Sequence, residues 1–244
     1  LSYHTDRLYR SMRLLGIRPV TAPDEFTEIV EVVVEESEIE EGYVKIIVTR
    51  GSDDHNFTIP ARSALQPNVL VYGKPIDLNA IEKVQSGVNC ITLDDDRGHH
   101  CDILSLNQLN NMMARAEAQK KNCYDAVFIK DGLLTEASHS NVCIVKAGVI
   151  WTPATNEHMI RGVTRSLVLT RAAPSAGVTS IDEASEPVRF EDMMTAEEVF
   201  LTNSQDGIIP VLSIDGNPIG GGKVGDVTKK IQEHYAHLME DGLP

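Results

Sequence analysis

The chain has 244 residues, 42 % of them hydrophobic, which is enough to bury a full core in one or two domains. Its formal net charge of -14 is spread along the sequence, which argues against nucleic acid or an anionic membrane as a partner. A phosphate ligand is not excluded, because phosphate responds to local donors rather than to net charge.

The four cysteines, Cys90, Cys101, Cys123 and Cys143, show no metal-type spacing. Reduced thiols and a cytoplasmic location are the simple expectation. No apolar run approaches the roughly 18 residues of a membrane span. The chain opens at Leu1, directly on a helical pattern, so a leading segment is expected to precede it.

In chain order, His4 to Leu15 reads as a helix, with Leu8, Met12 and Leu15 on one stripe and Gly16 as its C-cap. A second helix starts near Pro23, with Phe26, Ile29, Val30 and Val33 as its apolar face. Strands are expected at Tyr43 to Thr49 and Asn68 to Tyr72, around a polar loop at Gly51 to Pro60. Lys74 to Lys83 reads as a connector. It separates a small N-terminal domain, 1–82, from a larger one, 83–244.

The second half begins with a strand near Asn89 to Leu93, followed by Asp94-Asp95-Asp96 and Arg97 to Ile103. A helix from about Ser105 to Lys121 is expected to turn Leu106, Leu109, Met113 and Ala116 inward. Residues 124–165 then give a strand, a Lys-Asp-Gly turn, the Thr135-Glu136 pair, a small polar loop ending in Asn141, a hairpin and a helix led by Gly162. That helix runs from Val163 to about Ala172. A strand at Glu198 to Thr202 enters the polar turn Asn203 to Gly207, and a hairpin turns at Asp215-Gly216-Asn217. An amphipathic helix, about Val224 to Leu238, closes the chain. Hairpins mixed with helices imply an α+β fold with α/β layers.

These elements could together serve a planar, phosphorylated heterocycle such as pyridoxal 5'-phosphate. Phosphate calls for backbone N–H groups at a helix start, hydroxyls and an arginine. Gly162-Val163-Thr164, Asn203-Ser204 and Arg7 offer these. The ring nitrogen calls for a carboxylate that keeps it protonated, and Glu136 is placed for that role. Each feature alone has a bland reading: a helix cap, or a solvated loop acid. His99-His100-Cys101 reads as structural, because adjacent side chains rarely converge on one ion. No metal site is expected.

The motifs HTDRLYRS, TEASHSN, IRGVTR, LTNSQDGIIPV and GGKVGDVTKKIQ occur in that order, and by them the chain resembles the fold-type IV pyridoxal phosphate enzymes. These include D-amino acid aminotransferases, branched-chain aminotransferases and aminodeoxychorismate lyases. The resemblance covers nearly the whole chain and implies the two-domain fold of that family. It implies phosphate contacts from Arg7, Val163, Thr164, Asn203 and Ser204. It also implies Glu136 at the ring nitrogen, His139 in the same loop, and Ile160 against the ring.

The segment CDILSLNQLNNMMARAEAQKKNCYDAVF and the Thr49-Arg50-Gly51 loop with downstream His55 are most similar to the D-amino acid aminotransferase group. That likeness implies transfer from a D-amino acid of the D-alanine or D-glutamate type to a 2-oxo acid, by a homodimer. His55, Arg50 and Gln205 would meet the substrate.

Two positions depart from the pattern. Asp53 stands near His55, where some D-specific members carry an arginine. Leu104 stands where the family has its cofactor-linked lysine, and as written it offers no amine. Three readings of Leu104 are open: a natural loss, a substitution that traps the bound substrate, or a cofactor-linked lysine written as leucine. The alternative functions are a branched-chain or (R)-amine transaminase, an aminodeoxychorismate lyase, or a non-catalytic cofactor-binding protein.

Overall fold

A computed structural model describes residues 1–52, 65–181 and 187–240. The chain divides into two compact units, Leu1–Leu78 with Ile103–Ser105, and Asn79–Asp102 with Leu106–Pro244.

In the first unit, helix α1 (Ser2–Leu14) ends as Gly16 takes a left-handed φ of 65°, which its missing Cβ allows. Helix α2 (Pro23–Ser37) starts on its proline. Tyr9 meets the Phe26 ring edge-on at 5.8 Å and donates to the Thr21 carbonyl. Of the expected α2 stripe only Phe26 is buried; Val30 and Val33 are half-buried and Ile29 is exposed. Strands β1 (Gly42–Thr49) and β2 (Asn68–Pro75) form an antiparallel pair in unbroken register.

The connector expected at Lys74 to Lys83 is not a plain linker: β2 runs to Pro75 and helix α3 (Leu78–Gln85) follows.

The second unit is built on a nine-stranded mixed sheet. Its strands are β3 (Val88–Asp94), β4 (Asp125–Lys130), β5 (Leu133–Ala137), β6 (Asn141–Lys146), β7 (Val149–Trp151), β8 (Ser180–Ile181), β9 (Glu198–Asn203), β10 (Gly207–Ile214) and β11 (Asn217–Pro218). Their order is β5-β4-β3-β10-β9-β6-β7-β8, with β11 on β10. The pairs β3/β4, β3/β10 and β7/β8 are parallel and the rest antiparallel. Strands buried on both faces, such as Asp125 to Phe128, read as apolar runs rather than alternations.

Helix α4 (Leu109–Lys120) packs on this sheet through Ala114 and Ala118, against Ile91, Ala126 and Phe128. This overturns the inward face expected from Leu106, Leu109 and Met113, which are exposed by 66 %, 66 % and 56 %; Ala116 is half-buried. Two alanines one turn apart let the helix backbone come close to the sheet. A stripe through Leu109 and Met113, one residue earlier on each turn, is thereby rotated about 100° away.

The helix from Val163 is continuous but changes pitch: α5 (Val163–Leu167) passes through a π-helical segment (Val168–Ala172) into α6 (Ala173–Ser175). With helix α8 (Asp226–Glu240) it covers Cys143, Val145, Phe200 and Ile208. A short helix α7 (Phe190–Met194) precedes β9. No described helix is long and apolar enough to cross a membrane.

Glu198 fixes the start of α8 by accepting from Val227 N (2.9 Å), Thr228 N (2.7 Å) and Thr228 Oγ1 (2.6 Å). Replacing Glu198 with Ala should cost about 1–3 kcal/mol, as expected for a charged cap on donors that are otherwise unpaired. The urea midpoint should fall with an unchanged slope.

Candidate active site

Glu136 sits near the end of β5, 5 % exposed, where β5, the loop before β6 and the segment after β3 meet. Its Oε1 accepts from Arg97 Nη1 at 2.5 Å. Its Oε2 accepts from Ile160 N at 2.9 Å and Asn141 Nδ2 at 3.3 Å. A carboxylate has about four lone-pair sites, so three acceptances leave capacity for one further donor.

Arg97 is the hub of this network. It grips Asp95 with two parallel bonds, Nε to Oδ1 (2.9 Å) and Nη2 to Oδ2 (2.8 Å), donates to the His158 carbonyl (2.8 Å), and lies over the Phe128 ring at 4.3 Å. Asp95 also accepts from Thr135 Oγ1 at 2.9 Å.

One cation here serves two carboxylates, and they respond differently. Burial pushes Asp95 up, but the bidentate Arg97 contact and Thr135 outweigh it and hold Asp95 below its ordinary value. Burial dominates at Glu136, where the single Arg97 contact only partly offsets it, and its pKa rises from 4.5 to about 7. Burial alone would lower Arg97, yet its two acids hold it above its ordinary value. Glu136 is therefore poised to share or release a proton near neutral pH.

The loop before β6 is held from below. Asp125, fully buried, accepts from Ser138 Oγ, Ser140 Oγ (3.4 Å) and His139 N (3.4 Å). His139 is thus bonded inward through its backbone while the residue is exposed. Asn141 donates to the Ile160 carbonyl at 2.7 Å as well as to Glu136. Gly162 lies so close to Asn141 that a Cβ there would stand 2.0 Å from Oδ1.

At the other end of the site, Val163 and Thr164 are buried in the first turn of α5. Thr164 Oγ1 donates to the Asn203 carbonyl at 3.0 Å and lies 3.5 Å from the Tyr235 hydroxyl. Asn203 Nδ2 donates to Tyr124, Ser140 and Asp206, and its Oδ1 accepts from Gln205 N (2.9 Å) and Asp206 N (2.7 Å). The side chain of Asn203 therefore builds the turn, while Ser204 and Gln205 are exposed on it.

Thr202 pairs with Asn141 in the antiparallel register, which puts the two side chains on one face of the sheet. Its hydroxyl is buried without a partner, an unmet polar group beside the site. This hydroxyl and the spare acceptor capacity of Glu136 fit a phosphate and a protonated aromatic nitrogen. Leu104 does not supply an amine.

The remaining expected residues lie in the first unit or outside the described residues. Arg7 lies on α1, where its Nη2 is 3.5 Å from His4 Nδ1 and burial lowers its pKa. Arg50 turns its guanidinium onto the carbonyls of Leu15 (2.5 Å) and Gly16 (3.2 Å). Leu104 is 47 % exposed and groups with the first unit. His55 and Asp53 lie outside the described residues.

Sequence reasoning missed Asp95, Arg97 and Asp125. Arg97 carried one available signal, as the first base after three consecutive acids. Asp125 carried another, as a charge inside an apolar strand.

The second unit thus combines a mixed sheet, a buried carboxylate near the end of β5 and a helix start at Gly162, an arrangement suited to a phosphorylated cofactor with a basic ring nitrogen. The chain belongs to the amino-transferase class IV family, whose model matches residues 1–214. It is 36 % identical to a D-alanine aminotransferase of Bacillus licheniformis, over 95 % of this chain and 80 % of that protein. It is 31 % identical to a D-alanine aminotransferase of Staphylococcus aureus strain N315, over 97 % and 82 %. The structure is similar to a branched-chain aminotransferase of Thermoproteus uzoniensis solved with norvaline, with a TM-score of 0.86 at 25 % identity, over 97 % of this chain and 78 % of that one.

Two outcomes are expected. The folded state holds the Glu136 proton up to about pH 7, whereas an ordinary glutamate loses it near 4.5. Stability assignable to Glu136 should therefore fall as pH rises from 4.5 to 7 and level off above. The melting-temperature difference between wild type and Glu136→Gln should shift against the wild type as pH rises across that range and level off above it, groups such as His4 contributing equally to both proteins. Separately, Gly162→Ala should cost about 1–3 kcal/mol by forcing Asn141 off Glu136, read from urea denaturation.

Proposed function

We propose that the chain carries out pyridoxal 5'-phosphate-dependent transamination, moving the amino group of a D-amino acid of the D-alanine or D-glutamate type to a 2-oxo acid. The observation that carries this reading is Glu136, buried, held by Arg97, Asn141 and Ile160, and raised to about 7. When bound, the cofactor supplies a ring that withdraws electrons from the substrate α-carbon. Glu136 would hold a proton at the pyridine nitrogen, which that withdrawal requires. The first-turn N–H groups of Val163 and Thr164, the Asn203-Ser204 turn and Arg7 would bind the phosphate. Ile160 would lie against the ring, and His139 would flank it. Gln205, exposed on the turn after β9, would bind the substrate carboxylate, and Arg50 and His55 are proposed as further donors to it. The handedness of the substrate is supported by the two curated relatives, both D-alanine aminotransferases.

Leu104 favours a second reading, in which the chain holds the cofactor without efficient turnover, because an isobutyl group can neither link to it nor move a proton. Leu104→Lys separates the two. General acid–base catalysis is worth roughly 10²–10⁴-fold, so the variant should gain D-alanine-to-2-oxoglutarate transfer on that scale. The assay offers D-alanine, L-leucine, (R)-1-phenylethylamine and aminodeoxychorismate side by side. Preference for L-leucine or the amine, or pyruvate release from aminodeoxychorismate, would reassign the substrate. No cofactor binding by either form would end the reading. In the lysine form, Glu136→Gln should slow the half-reaction by about ten- to a hundredfold with little change in cofactor affinity, the scale of one charge-assisted hydrogen bond.

We further propose a homodimer and a cytoplasmic location. Leu106, Leu109, Met112 and Met113 are all more than half exposed at one end of α4, and contiguous apolar surface of this kind favours association. The four cysteines are free. Light scattering at micromolar concentration should give twice the chain mass, and Met113→Lys should shift it toward the monomer.

A further inference from the structure

We propose that His99, Glu157 and His158 form a binding site for a first-row divalent cation of the zinc type, clamping the loop after β3 to the loop before α5. One nitrogen from each imidazole and one carboxylate oxygen lie within 4.8 Å of one another. Both imidazoles address the same oxygen: His99 Nδ1 is 3.3 Å and His158 Nε2 is 3.7 Å from Glu157 Oε1. Ligands about 2.0–2.1 Å from a tetrahedral zinc stand roughly 3.4 Å apart. The observed separations need only small side-chain adjustments to reach that geometry.

The backbone prepares the arrangement. His158 Nδ1 lies 3.3 Å from the Gly98 carbonyl, and because a carbonyl can only accept, Nδ1 is the donor of that contact and Nε2 is the nitrogen left to face a metal. A metal-bound histidine is commonly oriented in this way through its other nitrogen. Cys101 N donates to the Glu157 carbonyl at 2.8 Å, and Asn156 Oδ1 accepts from His158 N at 2.8 Å, so both loops are fixed close to the three ligands. The rings are tilted by 37° with centroids 5.9 Å apart, splayed rather than stacked. His158 is mostly buried, while His99 and Glu157 are exposed, which provides anchor and entry path together. Two imidazoles with one carboxylate suit zinc, nickel or copper better than calcium or magnesium, which prefer all-oxygen shells. Three protein ligands leave a fourth position for water.

The adjacency of His99, His100 and Cys101 is not what makes the site. His100 adopts a left-handed φ of 67° and is not one of the converging groups, and the second and third ligands come from nearly sixty residues away. The clamped segments also carry Arg97, which donates to the His158 carbonyl, and Ile160, which donates to Glu136. A bound cation would thus stiffen the frame around Glu136 from outside it.

The test is calorimetric titration of the EDTA-treated full chain with zinc chloride, paired with Co²⁺ absorption spectra. One equivalent should bind with micromolar affinity, Co²⁺ should show tetrahedral d–d bands, and the melting temperature should rise with zinc. Loss of outer-shell partners alone costs 10–100-fold in affinity, so His99→Ala and His158→Ala should each weaken binding by at least about tenfold. Glu157→Gln should weaken it as well. His99 is exposed, so His99→Ala should melt like wild type without metal, which keeps a folding defect out of the comparison. Cys101→Ser and His234→Ala should leave affinity unchanged. Non-saturable binding, binding indifferent to His99→Ala and His158→Ala, or binding lost only with Cys101→Ser would each overturn the proposal.

Discussion

A single guanidinium, that of Arg97, is divided between two carboxylates, and the arrangement of the site follows from that shortage of positive charge. Asp95 takes the bidentate grip and stays ionised; Glu136 takes one bond and keeps a hold on its proton. With side chains 5 %, 1 % and 6 % exposed, Arg97, Asp95 and Glu136 have little water to moderate their charges. Such a cluster contributes little net stability, because desolvation offsets most of the attraction, whereas removing one member leaves an uncompensated charge. Its value lies in fixing where one proton resides. It also ties the end of β3, the end of β5 and the loop before α5 to a common point, since Arg97 reaches the His158 carbonyl as well.

Around that point the loops are held by polar side chains rooted in the sheet. Asp125 gathers the Ser138 to Ser140 loop, and burial raises its pKa although those donors resist the rise. Asn203 closes the turn after β9 and reaches across to Ser140 and to the Tyr124 hydroxyl. Tyr124 donates in turn to Asp206 at 2.5 Å. Loops of this kind are usually where backbone groups go unpaired. Here each is pinned by a residue whose own strand is fixed by ladder bonds, so the geometry is borrowed from the sheet.

The strands, the hairpins and the order of the site motifs were legible because they depend on local chemistry: β-branched runs, Gly and Asn turns, a proline at a helix start. Glu136 and Thr164 stand out through their neighbours in sequence as candidates, and the structure buries both. Arg97 and Asp95 do not stand out in that way, since their importance comes from a charge balance closed by a residue about forty positions away. Asn203 was expected to be a donor toward a ligand, yet its amide is spent on the turn, which only the folded loop reveals. The orientation of α4 was misread for a related reason. Periodicity identifies an apolar stripe, but closeness of approach decides which stripe is buried, and Ala114 and Ala118 allow a closer approach than Leu109 and Met113.

Leu104 is then a question about chemistry more than about architecture. Arg97, Asn141 and Ile160, which fix Glu136, all belong to the second unit, whereas Leu104 groups with the first. The helix start at Gly162 and the Asn203 turn are likewise assembled from second-unit residues. A frame that does not draw on position 104 keeps its donors and its poised carboxylate whichever side chain stands there. On the function proposed above, cofactor affinity and turnover would therefore be separable. The first would rest on the polar frame together with Arg7, and the second would need, in addition, an amine at position 104.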